Sequence, residues 1–356
     1  MRVPGVVETF HHTMTFEPPR CPNRACSAFE NPPRRFARWG WFRVACRSEP
    51  ERRYRCLACR RTFSRQTFRQ DYRDRRPETN ARLFELLTSG VGLRQSARLL
   101  ELSCSGVQRK MRKMARACAD LHRNLSHRLP SGRSYVLDEE ESYEGSSIRT
   151  LTVPIVIERE SWFVVAADTA PIRRLARRGS RRRTWQDAHE QRHGRRPDRS
   201  RACVEGVMRE LDQKCQGPLG LHTDKKASYA TLCRRIFGDR ATHTTTAGSE
   251  ARTTRNPLFP INTTIAMSRD NCGRLRRMSW LVSKSGRWLK AQLDIFIVYR
   301  NYVRTRFNRD EPKRASACFL GLLARRLRVS EALRWRQDWG CRSIHPISLS
   351  GMRQVA

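Results

Sequence analysis

The chain has 356 residues, with 72 Lys plus Arg against 34 Asp plus Glu, a formal net charge of +38 spread along its whole length. A charge of that size makes nucleic acid the default partner, because neutralising phosphates releases counterions and the surface steers a polyanion inward. With 38% hydrophobic residues it has enough for at least one sizeable core, while no run approaches the roughly 18 apolar residues of a membrane span. Residues 1–20 also lack the apolar centre of a signal peptide, so the sequence predicts a cytoplasmic, nucleoid-associated protein with no membrane partner.

Of the thirteen Cys, most lie singly, as small buried hydrophobes do in a reducing compartment. Four are organised. Cys21 and Cys26 frame CPNRAC, and Cys56 and Cys59 frame CLAC between Tyr54 and Phe63. Two close pairs about thirty residues apart suit the knuckles of a zinc ribbon, predicted over 15–70, in which four thiolates hold one tetrahedral Zn²⁺. A module so small and polar needs that metal for folding free energy. Cys46 is a possible substitute ligand without a partner at knuckle spacing. Trp39, Trp41, Phe42 and Tyr54 are expected to cover the ribbon sheet, with Arg60, Arg61 and Arg65 towards phosphate.

A helical period follows, and 78–122 reads as a helix-turn-helix. Leu83, Leu86 and Leu87 form one apolar face ending at Gly90, and Leu93, Ala97 and Leu100 continue it. After the short link 101–103, Ser103 is placed to cap a helix whose buried side holds Val107, Met111, Met114 and Cys118. Its exposed Ser105, Gln108, Arg109, Arg112 and Lys113 are candidate DNA contacts, with Gln108 or Arg109 near base edges. A plain helical linker with solvated basic residues is the alternative.

Three short strand-like runs come next, Tyr135–Asp138, Leu151–Ile157 and Trp162–Ala167, then an extremely basic segment over 172–201. Beyond it lie a helix (ACVEGVMRELDQKC), a strand (LGLHTD), a helix (KKASYATLCRRIF) and a strand (ATHTTT). Three strands, helix, strand, helix, strand is the element order of a ribonuclease-H-like fold. The predicted class is therefore α/β, a mixed sheet with flanking helices over 133–310 behind the zinc ribbon and helix-turn-helix. Asp138 and Asp224 close the first and fourth strands, which such a sheet sets side by side.

Asp270 is the third candidate acid. Met267, Asn271, Arg274 and Met278 fall at helical spacing, which sets Asp270 and Arg274 one turn apart on a basic face, with Glu250 as the rival ligand. Three such carboxylates would bind two Mg²⁺ (or Mn²⁺) about 3.5 to 4 Å apart for in-line phosphoryl displacement. Glu139 and Glu144 are candidate modifiers of the field, or exposed turn residues. His222 shares a strand face with Asp224, and Lys225 and Lys226 stand ready to hold the DNA backbone. Further on, Leu289, Leu293, Phe296 and Ile297 predict an amphipathic helix with Arg300, Arg304 and Arg306 outward. A shorter helix (ACFLGLLARRLRV) and a turn-rich tail complete 311–356.

The ordered set CPN..C, RYRC..C.RTFS, LTSGVGLRQSARLL, YVLDE, LHTD..ASY and NPLFPIN followed by RDN..RLRR.SW resembles bacterial insertion-sequence transposases of the DDE/DDD type over nearly the whole chain. The resemblance carries the first two family aspartates to Asp138 and Asp224. The third family acid is commonly Glu followed closely by Asn and Arg; Asp270 with Asn271 and Arg274 implies a three-aspartate version. It also implies recognition of terminal inverted repeats in double-stranded DNA, 3′-end cleavage, strand transfer to a target, and a homo-oligomer assembled on paired DNA ends. Two other readings stand beside it: a DNA-binding protein that has lost catalysis, and a ribonuclease-H-like nuclease without strand transfer.

Overall fold

A computed structural model describes residues 16–45, 49–69, 71–251, 253–277 and 279–333. Cys46, Met278, Cys341 and the tail from residue 334 lie outside these described residues. Internal contacts divide the chain into two compact units that meet in sequence between Arg75 and Arg76.

The first unit is a short helix α1 (Ser27–Glu30) followed by an antiparallel three-stranded sheet of β1 (Ala37–Phe42), β2 (Glu51–Arg55) and β3 (Thr62–Ser64). Its small core joins Cys21, Cys26 and Cys56 to Phe36, Phe63 and Phe68, with Tyr54 and Phe16 against it. Gly40, at φ +83°, sits in a register shift between Arg38 and Trp41, a left-handed backbone that glycine adopts without strain. Trp39 and Trp41 do not cover the sheet as expected: they are 49% and 58% exposed.

The second unit opens with α2 (Thr79–Thr88), α3 (Leu93–Leu99) and the 22-residue α4 (Cys104–Leu125). Ser103 caps α4, its hydroxyl accepting from the Gly106 N–H at 3.1 Å. Val107, Met111, Met114 and Cys118 are buried. The inner side of these helices packs into the same core as the sheet, where Met114, Cys118 and Leu121 join Tyr135, Leu137 and Phe163.

The sheet is built from β4 (Arg133–Glu144), β5 (Ser146–Glu158), β6 (Val164–Ala167), β8 (Leu219–Asp224) and β9 (Ala241–Thr246), with the two-residue β7 (Ala170–Pro171) on β5. Its order is β6-β5-β4-β8-β9; β4, β5 and β6 run antiparallel, while β8 lies parallel to both β4 and β9. The sheet is mixed and open, as an α/β domain with helices on both faces. Alternation along β4 divides those faces: Tyr135 and Leu137 enter the core holding α4, α6 (Ser200–Lys214) and α7 (Ala227–Phe237), whereas Val136 enters a second core with Ile261 and Ile265 of α8 (Phe259–Asn271). The helix α9 (Gly286–Val298) contributes to both cores.

Several local expectations give way to tertiary partners. The strand read as Tyr135–Asp138 runs on to Glu144, because the hairpin ladder with β5 continues and its acidic side chains find partners there. The basic segment 172–201 holds a helix, α5 (Arg181–His193), capped by Ser180 and laced by the Arg183–Asp187 and Arg173–Glu190 pairs. Instead of running through Arg274, α8 stops at Asn271 and leaves Arg274 on a 3₁₀ turn, off the face of Asp270. Arg300 does not face out either. A π-helical turn, Tyr299–Val303, carries it inside, fully buried, with its guanidinium donating to Ser316 Oγ at 3.1 Å. The predicted helix ACFLGLLARRLRV shrinks to α10 (Ser316–Phe319), and α11 (Val329–Ala332) closes the described chain.

Candidate functional site

Two features of the molecule gather chemistry-bearing side chains from distant positions. The first is the cysteine cluster. The Sγ atoms of Cys21, Cys26, Cys56 and Cys59 all lie within 4.8 Å of one another, with Cys21 and Cys59 at 3.5 Å and Cys26 and Cys56 at 3.7 Å. Four sulfurs at these spacings, three of them buried, suit a tetrahedral structural Zn²⁺. Burial, reinforced by neighbouring sulfurs, pushes the Cys21 and Cys26 thiols up; the preference of Zn²⁺ for thiolate opposes that cost.

The second feature lies on the α8 face of the sheet. The parallel ladder pairs Arg133 with Leu219 and ends with Val136 opposite His222. Asp138 and Asp224 each lie two residues beyond that last pair, on the same face of their strands as Val136 and His222. Both aspartates are half-buried. Asp138 Oδ1 accepts from the Glu139 N–H at 2.7 Å, and Asp224 Oδ1 from the Lys226 N–H at 3.0 Å. His222 lies on this face too, bonded by its two ring nitrogens to Thr244 and Thr246; burial holds its pKa down, partly offset by Glu250.

Asp270 stands elsewhere. It is exposed near the end of α8, whose buried residues are Ile261, Thr264, Ile265 and Ser268. At 100° per residue, that places it on the side of the helix turned from the sheet. Among the described residues, the four cysteines are the only group of three or more Cys, His, Asp or Glu close enough to share a metal ion. Asp138, Asp224 and Asp270 therefore form no three-acid cluster among the described residues. Glu250 is exposed, with Oε1 accepting from the Ala247 N–H at 3.2 Å.

The remaining acids of β4 are committed. Glu139 points to the opposite face from Asp138, where it accepts from Lys226, from Tyr229 Oη at 2.7 Å and from Thr152 Oγ1 at 2.5 Å. Lys226 is thus paired with Glu139. Burial, Glu139 and the nearby charges of Asp138 and Asp224 all raise the Tyr229 pKa. Glu144 is no free turn residue: it accepts from Arg149, Arg196 and the Gly286 N–H at the start of α9, and these outweigh burial to hold its pKa down.

Glu140 escapes a reading of strand ends. It shares the Asp138 face two residues on, is 1% exposed, and binds Arg269 and Ser268 Oγ, the latter at 3.0 Å. Burial raises its pKa against the pull of Arg269. This pair pins α8 over β4; the period-2 alternation of VLDEEE marks only the face Glu140 takes, and its partner on α8 has no local signal.

The α4 positions singled out for DNA lie along one side of the helix. Ser105, Gln108, Arg109 and Arg112 are exposed and Lys113 is half-buried; Arg112 also lies over the Trp288 ring at 5.5 Å.

No helix among the described residues is long and apolar enough to cross a membrane. No protein-family model and no curated protein matches the chain. Among solved structures it is matched to the "CryoEM structure of simian T-cell lymphotropic virus intasome in complex with PP2A regulatory subunit B56 gamma", at 11% identity over 67% of this chain and 70% of that chain. The TM-score is 0.26, and an overlap that loose carries no argument.

Proposed function

We propose that the chain is a DNA transposase of the DDE/DDD type, in which Asp138 and Asp224 form the heart of a divalent-cation site that cuts and joins DNA strands. One observation supports this reading: in a sheet ordered third-second-first-fourth-fifth, the parallel neighbours β4 and β8 pair up to Val136 and His222, and the two aspartates follow two residues later on the same strand faces. That order supports a ribonuclease-H-like reading of the domain, and two acids on neighbouring strands are the donors a shared cation uses.

The donor set fits a hard ion. Two half-buried carboxylates offer oxygen ligands, which suit Mg²⁺ or Mn²⁺ better than Zn²⁺. Such an ion, when bound, supplies an activated water or 3′-hydroxyl and steadies the leaving oxygen in an in-line displacement. The chain's own part is positional. Backbone N–H groups of Glu139 and Lys226 fix one oxygen of each aspartate, and the Glu140–Arg269 pair holds α8 across the same face. As third ligand the proposal keeps Asp270 and Glu250 as alternatives for mutation to decide. The α4 residues Ser105, Gln108, Arg109, Arg112 and Lys113 are proposed to contact the terminal inverted repeats, with homo-oligomers assembling on paired ends.

A strand-transfer assay with Mg²⁺ and the element's own ends tests this. Asp138→Ala and Asp224→Ala should each reduce end cleavage and joining to background while duplex binding persists. Loss in Glu250→Ala with activity kept in Asp270→Ala would assign the third ligand to Glu250. A parent protein that binds ends yet neither cuts nor joins them would favour a second reading, a DNA-binding protein without catalysis, which the outward position of Asp270 supports. Cutting without joining would identify a nuclease.

A further inference from the structure

The N-terminal unit carries a cleft of about 1010 Å³ that the zinc cluster does not account for. Strands β1 and β2 line it together with Phe16–Pro18 and Arg65, and its residues include six arginines against three glutamates. Arg69 is tied to Asp71 by a two-bonded pair, but Arg34, Arg38, Arg52 and Arg65 make no ion pair among the described residues. Guanidinium groups left without carboxylates around one concave surface form a site for an anion larger than a single ion.

Its second ingredient is Trp41. A tryptophan on a small sheet ordinarily turns its ring inward for the burial energy. Here the core is filled by Phe36, Phe63, Phe68 and Tyr54, and Trp41 stays 58% exposed at the cleft. The Arg52 guanidinium lies over its ring, 3.8 Å from the centroid. One face of the indole is thereby occupied by a cation and the ring is held in place, which prepares the exposed remainder for another flat partner. A duplex buries its base faces in its own stack. An acidic peptide matches the arginines but brings no flat π-system. A single strand offers both phosphates and unstacked bases, and groove charge joined to an aromatic platform is the arrangement that binds one.

We infer that this cleft binds unpaired nucleic acid, with a base stacked on Trp41 and the flanking phosphates on Arg38, Arg52 and Arg65. The site needs neither Asp138 nor Asp224, so it stands whether or not the sheet cuts DNA.

The test uses the full chain with Asp138→Ala as background, a labelled 15-nucleotide oligo-dT and a 15-base-pair blunt duplex, with zinc content measured for every variant. Trp41→Ala should weaken oligo-dT binding roughly tenfold and leave duplex binding unchanged; Trp41→Phe should restore most of the loss. Arg38→Gln together with Arg65→Gln should weaken oligo-dT binding further and flatten its salt dependence. Equal oligo-dT affinity in Trp41→Ala and parent, at full zinc content, overturns the inference. So does an equal loss for strand and duplex, or displacement of oligo-dT by poly-glutamate at matched charge. Asp138→Ala separates the two claims, since it abolishes the proposed chemistry while this binding must survive.

Discussion

The two units of the chain hold themselves together by different means. In the first, three of the seven buried residues forming the core are cysteines of the metal cluster, and the strands are three to six residues long. In the second, a sheet with strands of up to 13 residues lies between two apolar cores, one of which also takes in α2, α3 and α4. A fold with little apolar surface to bury depends on a ligand, whereas one with two cores depends on packing; the same chain should therefore fail in two separable ways.

The largest effect expected is loss of the metal. Structural zinc contributes about 10–16 kcal/mol to small modules, more than the net stability a unit of this size otherwise retains after its conformational entropy is offset. Cys56→Ser or a strong chelator should release zinc and unfold residues 16–69 while the thermal transition of the second unit stays in place. Bound zinc unchanged in Cys56→Ser would break the comparison at its root.

A smaller effect should appear only in the second unit. Met111→Ala removes a fully buried side chain from the core that α4 shares with the sheet, and such truncations cost about 2–5 kcal/mol. Denaturant melts should show the main transition shifted and zinc affinity unaltered. If α2–α4 melt separately from the sheet in that variant, the shared core does not act as one cooperative body. Ser103→Ala, which removes the cap of α4, sharpens the same question at about 1 kcal/mol.

The smallest effect is electrostatic. Arg325 holds Glu331 down to about 2 from an ordinary 4.5. A folded carboxyl pKa below the unfolded value gives stability that is present above pH 4.5 and lost as pH falls towards 2. Both side chains are partly exposed, so screening keeps the contribution small. Arg325→Gln should flatten this part of the acid limb of a stability-against-pH curve for the second unit; an identical limb in parent and variant would remove the pair from the account.

What the sequence revealed follows from how local each signal is. Cysteine spacing announced the cluster because knuckle geometry is built from near neighbours. The order of strands and helices from Arg133 to Thr246 was readable because β8, α7 and β9 each begin and end on local cues. Val107, Met111, Met114 and Cys118 announced the inner face of α4 by period alone. Other features depend on partners far away in sequence. Burial of Glu140 depends on Arg269, and of Arg300 on a π turn and Ser316, so neither shows in a local pattern. Arg274 was assigned to the helix of Asp270 for a related reason: the helical spacing ran on past a backbone that had already turned at Cys272.

Helix α4 spans about 33 Å at 1.5 Å per residue. Its opening turns present Ser105, Gln108 and Arg109 to solvent, while near its far end His122 reaches the Val165 carbonyl and Tyr302 hydroxyl, each at 2.9 Å. No joint separates the two ends. Inserting a single residue midway would swivel the outward edge by about 100° relative to the strands beneath it and lengthen the arm by only 1.5 Å. The helix therefore works as a rigid gauge, and evolution can change what its tip touches far more easily than where that tip is aimed.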